Sequence, residues 1–418
     1  MDKFVINGGK KLIGEVQISG AKNAVLPIMA ACILKPATYT IKNVPNLKDT
    51  RTMIKLLEES GANVKFDNNI LVVDSTQCNN PVAPYDLVKT MRASFYMLGP
   101  FIARFGKSTV SLPGGCAWGP RPVDFHIKAL KQMGAHVELK EGNILCSGNL
   151  KGAEIIFEKK SVGATGNIIM AAVGAEGETI ISNASCEPEI EDLCTFISLL
   201  GVNIEGIGTD LLKINSSTDS IVKKVDYSII PDRIEAATFM ILAAITNGDI
   251  ILRNVNINHL DIVISKLKRA GVRIEIVNTN SLRISNSANL SSVDVETREY
   301  PGFPTDIQAQ WMSLMCLATG TSTIKENIYS DRFTHVAELN RFGADIKVEG
   351  DTAHINGVNS FRAAPVMSTD IRASASLILA ALSSEGESSI SRIYHIDRGY
   401  ENIERKIAAL GGDIKRKK

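Results

Sequence analysis

The 418-residue sequence has almost no net charge: 46 Lys and Arg stand against 45 Asp and Glu, leaving +1. That balance removes any global electrostatic basis for binding nucleic acid or another extended polyanion, so anion binding has to be local. A paired cysteine pattern is missing too. The seven cysteines, at 32, 78, 116, 146, 186, 194 and 316, are odd in number and scattered, with no C-x-x-C and no clustered Cys/His spacing. The pattern argues against a disulfide framework and a zinc site and favours a reducing compartment. There is no P-loop, Rossmann glycine fingerprint, triad spacing or metal-ligand cluster, so the sequence calls for no cofactor and no metal. Residues 1–20 carry charge throughout and contain no apolar segment of signal-peptide type. The longest uncharged stretch, 307–324, is broken by Gln, Gly, Ser and Thr and reads as a buried helix running into a strand. A soluble cytoplasmic protein without membrane association is expected.

What is present is a repeat. An apolar helical segment ending in glycine and running into a β-branched stretch recurs at Gly61, Gly134, Gly201, Gly271, Gly343 and Gly411, with spacings of 73, 67, 70, 72 and 68. Each glycine suits the helix C′ position, where positive φ is needed. Upstream of each lies a second turn marker, at Pro36, Gly106, Gly177, Gly248, Gly320 and Gly386. An Ala- and Met-rich helix precedes each marker and a strand follows it. These helices are apolar nearly all round, which predicts a central position. In five units a second strand follows the closing glycine across a tight turn. With the strand before each first helix, the unit is β-α-β-α-β-β. One such unit cannot bury two helices alone, so six units are expected to cluster as two α/β bodies of three. The polar run 215–220 reads as the best internal linker. A six-bladed propeller fails, because each unit holds two strong helices where a blade needs four strands.

The repeats differ where chemistry is expected. Near the start of the central helix stand Lys22, Arg92, Gly163, Ile234, Asp306 and Arg372. Cations there oppose the helix dipole, so an anion is expected to supply the missing negative charge; the alternative is that each side chain snorkels to water. Twelve residues after the turn marker are Lys48, Glu189, Leu260, Arg332 and Arg398, and Arg121 joins them once a three-residue insertion in the second unit is removed. Equivalent loops of a pseudo-symmetric body face one side. Up to seven cations there suit phosphate plus carboxylate, which Arg binds in bidentate fashion. The insertion carries Cys116 between Pro113-Gly114-Gly115 and Gly119-Pro120, which predicts a mobile loop with rigid elbows and a thiolate favoured by the nearby cations. On the residues alone this thiol is either reactive or a bystander. Asp306 is either a cleft carboxylate or a simple N-cap. Glu187 reads as a solvated loop residue, and His126 and His395 as structural histidines near cleft loops.

Several motifs carry a closer likeness: G-A-K-N at 20–23, M-R-A-S at 91–94, L-P-G-G-C-A-W-G-P-R-P-V-D-F-H-I at 112–127, S-V-G-A-T at 161–165, P-D-R-I-E at 231–235, F-P-T-D-I-Q-A-Q at 303–310, T-D-I-R-A-S-A-S at 369–376 and Y-H-I-D-R-G-Y at 394–400. Across the whole chain they resemble the UDP-N-acetylglucosamine 1-carboxyvinyltransferase family, whose Cys loop separates it from 5-enolpyruvylshikimate-3-phosphate synthase. The resemblance implies two inside-out α/β domains of three repeats each, with pseudo-three-fold symmetry. It places residues 21–229 in one domain and 1–20 plus 230–418 in the other, with the active site in the cleft between them. It implies transfer of the enolpyruvyl group of phosphoenolpyruvate to the 3′-hydroxyl of UDP-N-acetylglucosamine with release of phosphate, the committed step into peptidoglycan. By motif match, Cys116 is the acid and adduct residue, the target of fosfomycin, and Asp306 accepts the hydroxyl proton. Lys22, Arg121 and Arg398 would hold phosphate, Arg332 and Arg372 carboxylate, and Asn23 the phosphoenolpyruvate or the tetrahedral intermediate. Arg92, the run Arg121, Pro122, Val123, Asp124 and Phe125, the segment with Lys159, Val162 and Gly163, and Ile328 match the nucleotide-sugar contacts. A shikimate-type transferase and a non-catalytic paralogue are the rival readings; intact Cys116, Asp306 and the arginine set count against the second.

Overall fold

The computed structural model describes residues 2–112, 123–216, 221–285, 289–329 and 331–418. The chain divides into two compact units, Gly20–Ile230 and Met1–Ser19 with Pro231–Lys418. The described residues form six four-stranded sheets of one design. In one, Glu154–Ile156 runs parallel to Glu178–Ser182, which pairs antiparallel with Leu211–Ser216, itself antiparallel to Val202–Glu205. The helices Val162–Ala172 and Pro188–Ser198 fill the crossovers. This is the β-α-β-α-β-β unit expected from the repeat. Alternation sets the sheet faces: in Glu178–Ser182, Thr179 and Ile181 point inward and are buried while their neighbours are not.

The closing glycines explain why the repeat is visible at all. All six adopt φ between 82° and 97°, a region that costs a residue with a Cβ. At Gly61 the main-chain N–H bonds the Glu58 carbonyl at 2.9 Å and the Ala62 N–H bonds the Leu57 carbonyl at 3.0 Å. That pair of bonds ends the helix and turns the chain directly into its next strand.

The central helices are buried on every side, as their composition predicts. In Arg233–Ile245 every residue after Arg233 is buried, and in Ile371–Ser383 the run from Arg372 to Leu382 is. Such helices must pack on one another. Between Gln308–Met315 and Ile371–Ser383, the Ser313 hydroxyl donates to the Ser376 carbonyl at 3.1 Å. Between Leu98–Phe105 and Val162–Ala172, the Gly99 N–H donates to the Asn167 side-chain oxygen at 2.8 Å.

Three strand placements depart from the order of the chain. The last unit lacks a local hairpin partner, and Lys3–Asn7 supplies it, lying antiparallel between Glu387–Ser391 and Asp413–Lys417. Ile13–Gln17 is the parallel edge strand beside Asp249–Arg253, whereas the sheet of Thr38–Lys42 takes its edge from Lys224–Ser228. The linker expected at 215–220 is corrected by these pairings. Asn215 and Ser216 belong to a strand, residues 217–220 lie outside the described residues, and the chain still supplies Lys224–Ser228 to the same unit before the division at Ile230. Polarity misled there because the half-buried end of a strand carries polar residues without being a linker. Among the described residues no helix is long and apolar enough to cross a membrane.

At Gly99 two central helices meet main chain against main chain: a Cβ there would lie 2.4 Å from the Asn167 carbonyl oxygen. Gly99→Ala should therefore destabilise the protein by about 1–3 kcal/mol despite the better helix propensity of Ala. A lowered midpoint in denaturant unfolding checks this.

Candidate active site

In the unit Gly20–Ile230, the helix Lys22–Ala31 opens without a side-chain cap, and the missing negative charge comes from the protein itself. Lys22 Nζ meets Asp49 Oδ2 at 2.8 Å with both side chains buried. Asp49 follows Lys48 at the start of Lys48–Glu59; Lys48 is exposed. Asn23 is half-buried beside Lys22. Asp49 went unnoticed in the sequence because an acidic residue in the first turn of a helix is ordinary.

Arg92 opens the 3-10 segment Arg92–Met97, which leads into the central helix Leu98–Phe105. His126 lies on Asp124–Gln132 and is buried. Its Nδ1 faces the Asn167 amide nitrogen at 3.0 Å, and that amide also donates to the Phe95 carbonyl at 3.0 Å while its oxygen accepts from Gly99. The amide is thus oriented so that Nδ1 accepts, which puts the imidazole proton on Nε2. A Cβ on Gly163 would lie 3.6 Å from that nitrogen. Burial, with the charge of Arg92, pushes His126 down to about 4. The structure thus places Arg92, His126 and Gly163 around one spot. Val162 and Gly163 open the helix Val162–Ala172, capped by the Ser161 side chain. Asp124 and Lys159 are exposed, and Val123 is half-buried. Phe125 packs edge-on to Phe157 with ring centres 6.3 Å apart, beside a cavity of about 110 Å³ that both rings line. Glu187 precedes Pro188 at the start of a helix and is half-buried, so the solvated-loop reading does not describe it. Cys116, Arg121 and Pro122 lie outside the described residues.

In the other unit, Asp306 sits between two arginines. Oδ1 meets Arg332 Nη2 at 2.7 Å and Oδ2 meets Arg372 Nη2 at 2.9 Å. The N-cap alternative fails: Pro304 holds the cap position of Thr305–Ile307 and no side chain caps it. Burial alone would raise the Asp306 carboxyl, but the charges of Arg372 and Arg332 and their hydrogen bonds outweigh it and hold it well below the usual carboxylate range. Arg372 is the second residue of the helix Ile371–Ser383, whose first amides are capped by Asp370. Gln310 Nε2 donates to the Asp306 carbonyl at 3.1 Å and to the Tyr400 hydroxyl at 3.1 Å, tying the aspartate's backbone to the core. Ile328 is half-buried, and its N–H donates to Glu326 Oε1 at 2.9 Å. Arg398 ends the 3-10 segment Ile393–Arg398 and is half-buried, while His395 lies against Tyr394 with ring centres 4.2 Å apart. Of the other six cysteines, 32, 78, 146, 194 and 316 are buried and Cys186 is half-buried, and burial raises each thiol.

A carboxylate held between two arginines beside a central-helix start is an anion-handling arrangement, and comparison with known proteins identifies its class. The chain matches, over residues 6–407, the family described as EPSP synthase (3-phosphoshikimate 1-carboxyvinyltransferase). In fold it is similar to the enolpyruvyl transferase NikO from Streptomyces tendae, with a TM-score of 0.90 at 23% identity over 99% of this chain and 98% of that one. It is also similar to EPSP synthase from Acinetobacter baumannii, with a TM-score of 0.79 at 20% identity over the full length of both. The protein belongs to this carboxyvinyltransferase family. Within it, the chain is 53% identical over 418 residues to UDP-N-acetylglucosamine 1-carboxyvinyltransferase of Geotalea uraniireducens, covering 100% of this chain and 99% of the relative. The enzyme of the same name from Campylobacter hominis is 51% identical, again covering 100% of this chain and 99% of the relative.

His126 generates a pH prediction. Its proton affinity is lower folded than unfolded, so between about pH 4 and the ordinary value of 6.5 the unfolded chain binds more protons. Stability therefore rises with pH across that window and falls as pH drops through it. Taking wild type from pH 7 to pH 5 should cost up to about 2 kcal/mol from this group. His126→Gln, which cannot titrate, should lose less on the same change when both are followed by thermal unfolding.

Proposed function

We propose that this chain transfers the enolpyruvyl group of phosphoenolpyruvate to the 3′-hydroxyl of UDP-N-acetylglucosamine with release of phosphate, in the cytoplasm, as the committed step into peptidoglycan. Identity of about half the residues over the full chain to enzymes of that name carries the reading. The Asp306, Arg332 and Arg372 cluster supports it from the chemistry.

The reaction needs a base for the sugar hydroxyl, an acid for the vinyl CH₂, and cations for the substrate carboxylate and the leaving phosphate. Asp306 takes the hydroxyl proton as the oxygen attacks C2, while Cys116 delivers a proton to C3. The tetrahedral intermediate then loses phosphate as a proton leaves C3 and the double bond reforms. Lys22, Arg121 and Arg398 hold the phosphate and Asn23 the intermediate. Arg332 and Arg372 hold the carboxylate. Arg92, Arg121 to Phe125, Lys159, Val162, Gly163 and Ile328 contact the nucleotide sugar.

The arginine pair has a further role in this scheme. With both guanidinium groups on Asp306, the carboxylate is ionised but a weak base. A substrate carboxylate competing for the same two arginines removes the charges that depress Asp306, and its proton affinity climbs. Base strength is then delivered when the substrate is seated.

Phosphate release from the two substrates together tests the reading, and shikimate 3-phosphate in place of the nucleotide sugar should give none. Asp306→Asn should bind the nucleotide sugar as wild type does and lose turnover by about 10²–10⁴-fold. Normal turnover in that variant would remove Asp306 from the role. Fosfomycin should alkylate Cys116 alone, faster with UDP-N-acetylglucosamine bound. Cys116→Asp, which keeps an acid and lacks the sulfur nucleophile, should stay active and resist it. Peptide mass mapping after incubation reads the site of labelling.

A further inference from the structure

Glu326 follows the strand Thr321–Lys325 and is 2% exposed, yet it is outside every motif that the reaction uses. Its charge is met by four hydrogen-bond donors. Oε1 accepts from the Thr297 hydroxyl at 2.8 Å, the Ile328 N–H at 2.9 Å and the Tyr329 N–H at 3.0 Å; Oε2 accepts from the Thr305 hydroxyl at 2.9 Å. Thr305 immediately precedes Asp306, and its oxygen in turn accepts from Arg332 Nη1 at 2.9 Å. A hydroxyl has one proton. Because Glu326 takes it, the lone pairs of Thr305 are left facing the guanidinium. Arg332 is therefore held at two points: Nη1 on Thr305, with its polarity fixed by Glu326, and Nη2 on Asp306.

We propose that Glu326 is a positioning residue that acts through Thr305 to fix the Arg332 guanidinium in the plane that receives the substrate carboxylate. The inference rests on the role of Arg332 given above. When the substrate carboxylate replaces Asp306 on Nη2, the Thr305 contact is the one that keeps the guanidinium from rotating, so the chain matters most in the liganded state. Arg332 binds a carboxylate well only while its planar fork is aimed. Loss of the aim appears in the binding of phosphoenolpyruvate before it appears elsewhere.

The test uses the full-length protein and steady-state kinetics with each substrate varied. Thr305→Val keeps the shape and removes the hydroxyl. It should raise KM for phosphoenolpyruvate about tenfold or more, lower kcat by less, and leave KM for UDP-N-acetylglucosamine within about twofold. Thr305→Ser should restore wild-type values. Glu326→Gln keeps an acceptor for the two main-chain amides but turns a donor toward Thr305, and it should reproduce the rise for phosphoenolpyruvate. Since both changes break one chain, the double variant should be no worse than the worse single variant. Effects that multiply in the double variant overturn the proposal, as does a KM for phosphoenolpyruvate within about twofold of wild type in Thr305→Val. If Glu326→Gln fails to fold, the comparison of Val with Ser at 305 decides alone. Wild type that releases no phosphate from the two substrates would overturn the proposed function instead, a result separate from any of these.

Discussion

Helices that are apolar on every face constrain this molecule more than any other feature. A four-stranded sheet can cover one side of a helix such as Arg233–Ile245, and the remaining sides must be covered by other helices of the same kind. Burying a single Leu or Ile side chain contributes about 1.5–3 kcal/mol, so a lone repeat would leave many such contributions unrealised. Three repeats around shared central helices solve the problem in each unit. Close approach follows, which is why Gly99 meets the Asn167 main chain and why serines, whose hydroxyls can bond back to helix carbonyls, are tolerated at Ser313 and Ser376. The site inherits its geometry from this arrangement, because repeat-equivalent helix starts are the positions that symmetry brings to comparable places.

That inheritance accounts for what could be read from the chain and what could not. The closing glycines are legible because positive φ narrows the choice at six equivalent positions to one residue type. Helix-start positions are legible by comparison between repeats, which singled out Lys22, Arg92, Asp306 and Arg372. The partner of Lys22 was not, since Asp49 is unremarkable in its own sequence context and only folding brings it within 2.8 Å. Glu326 and Thr305 were missed for the same reason: a buried hydrogen-bond chain joins residues that are separately commonplace. The strand supplied by Lys3–Asn7 was beyond local patterning altogether, because pairing over such a separation leaves no periodicity to detect.

Three candidate-site cations of this nearly neutral chain are answered by its own carboxylates. Lys22 holds Asp49, and Arg332 and Arg372 share Asp306. Removing one partner from a buried pair leaves an uncompensated charge, a loss of about 3–5 kcal/mol. In the proposed reaction a substrate anion avoids that loss by taking the place of an internal one. An anion site of this kind exchanges one negative group for another, and its affinity reflects the difference between them rather than the full attraction of the arginines.

The strand Lys3–Asn7 also bears on how the protein is made. Asn7 reaches Asp413 by a side-chain hydrogen bond at 3.3 Å across 406 positions of chain. During synthesis the segment Gly20–Ile230 has all of its sheet strands once Lys224–Ser228 has emerged, and domains generally fold as units in that order. Lys3–Asn7 and Ile13–Gln17 leave the ribosome before that segment and wait through that event. The edge partner of Ile13–Gln17 comes next, at Asp249–Arg253, and the sheet around Lys3–Asn7 closes only with Asp413–Lys417. Lys3–Asn7 is thus made well before both strands that pair with it, and until they emerge its edges stay open to pairing with other chains.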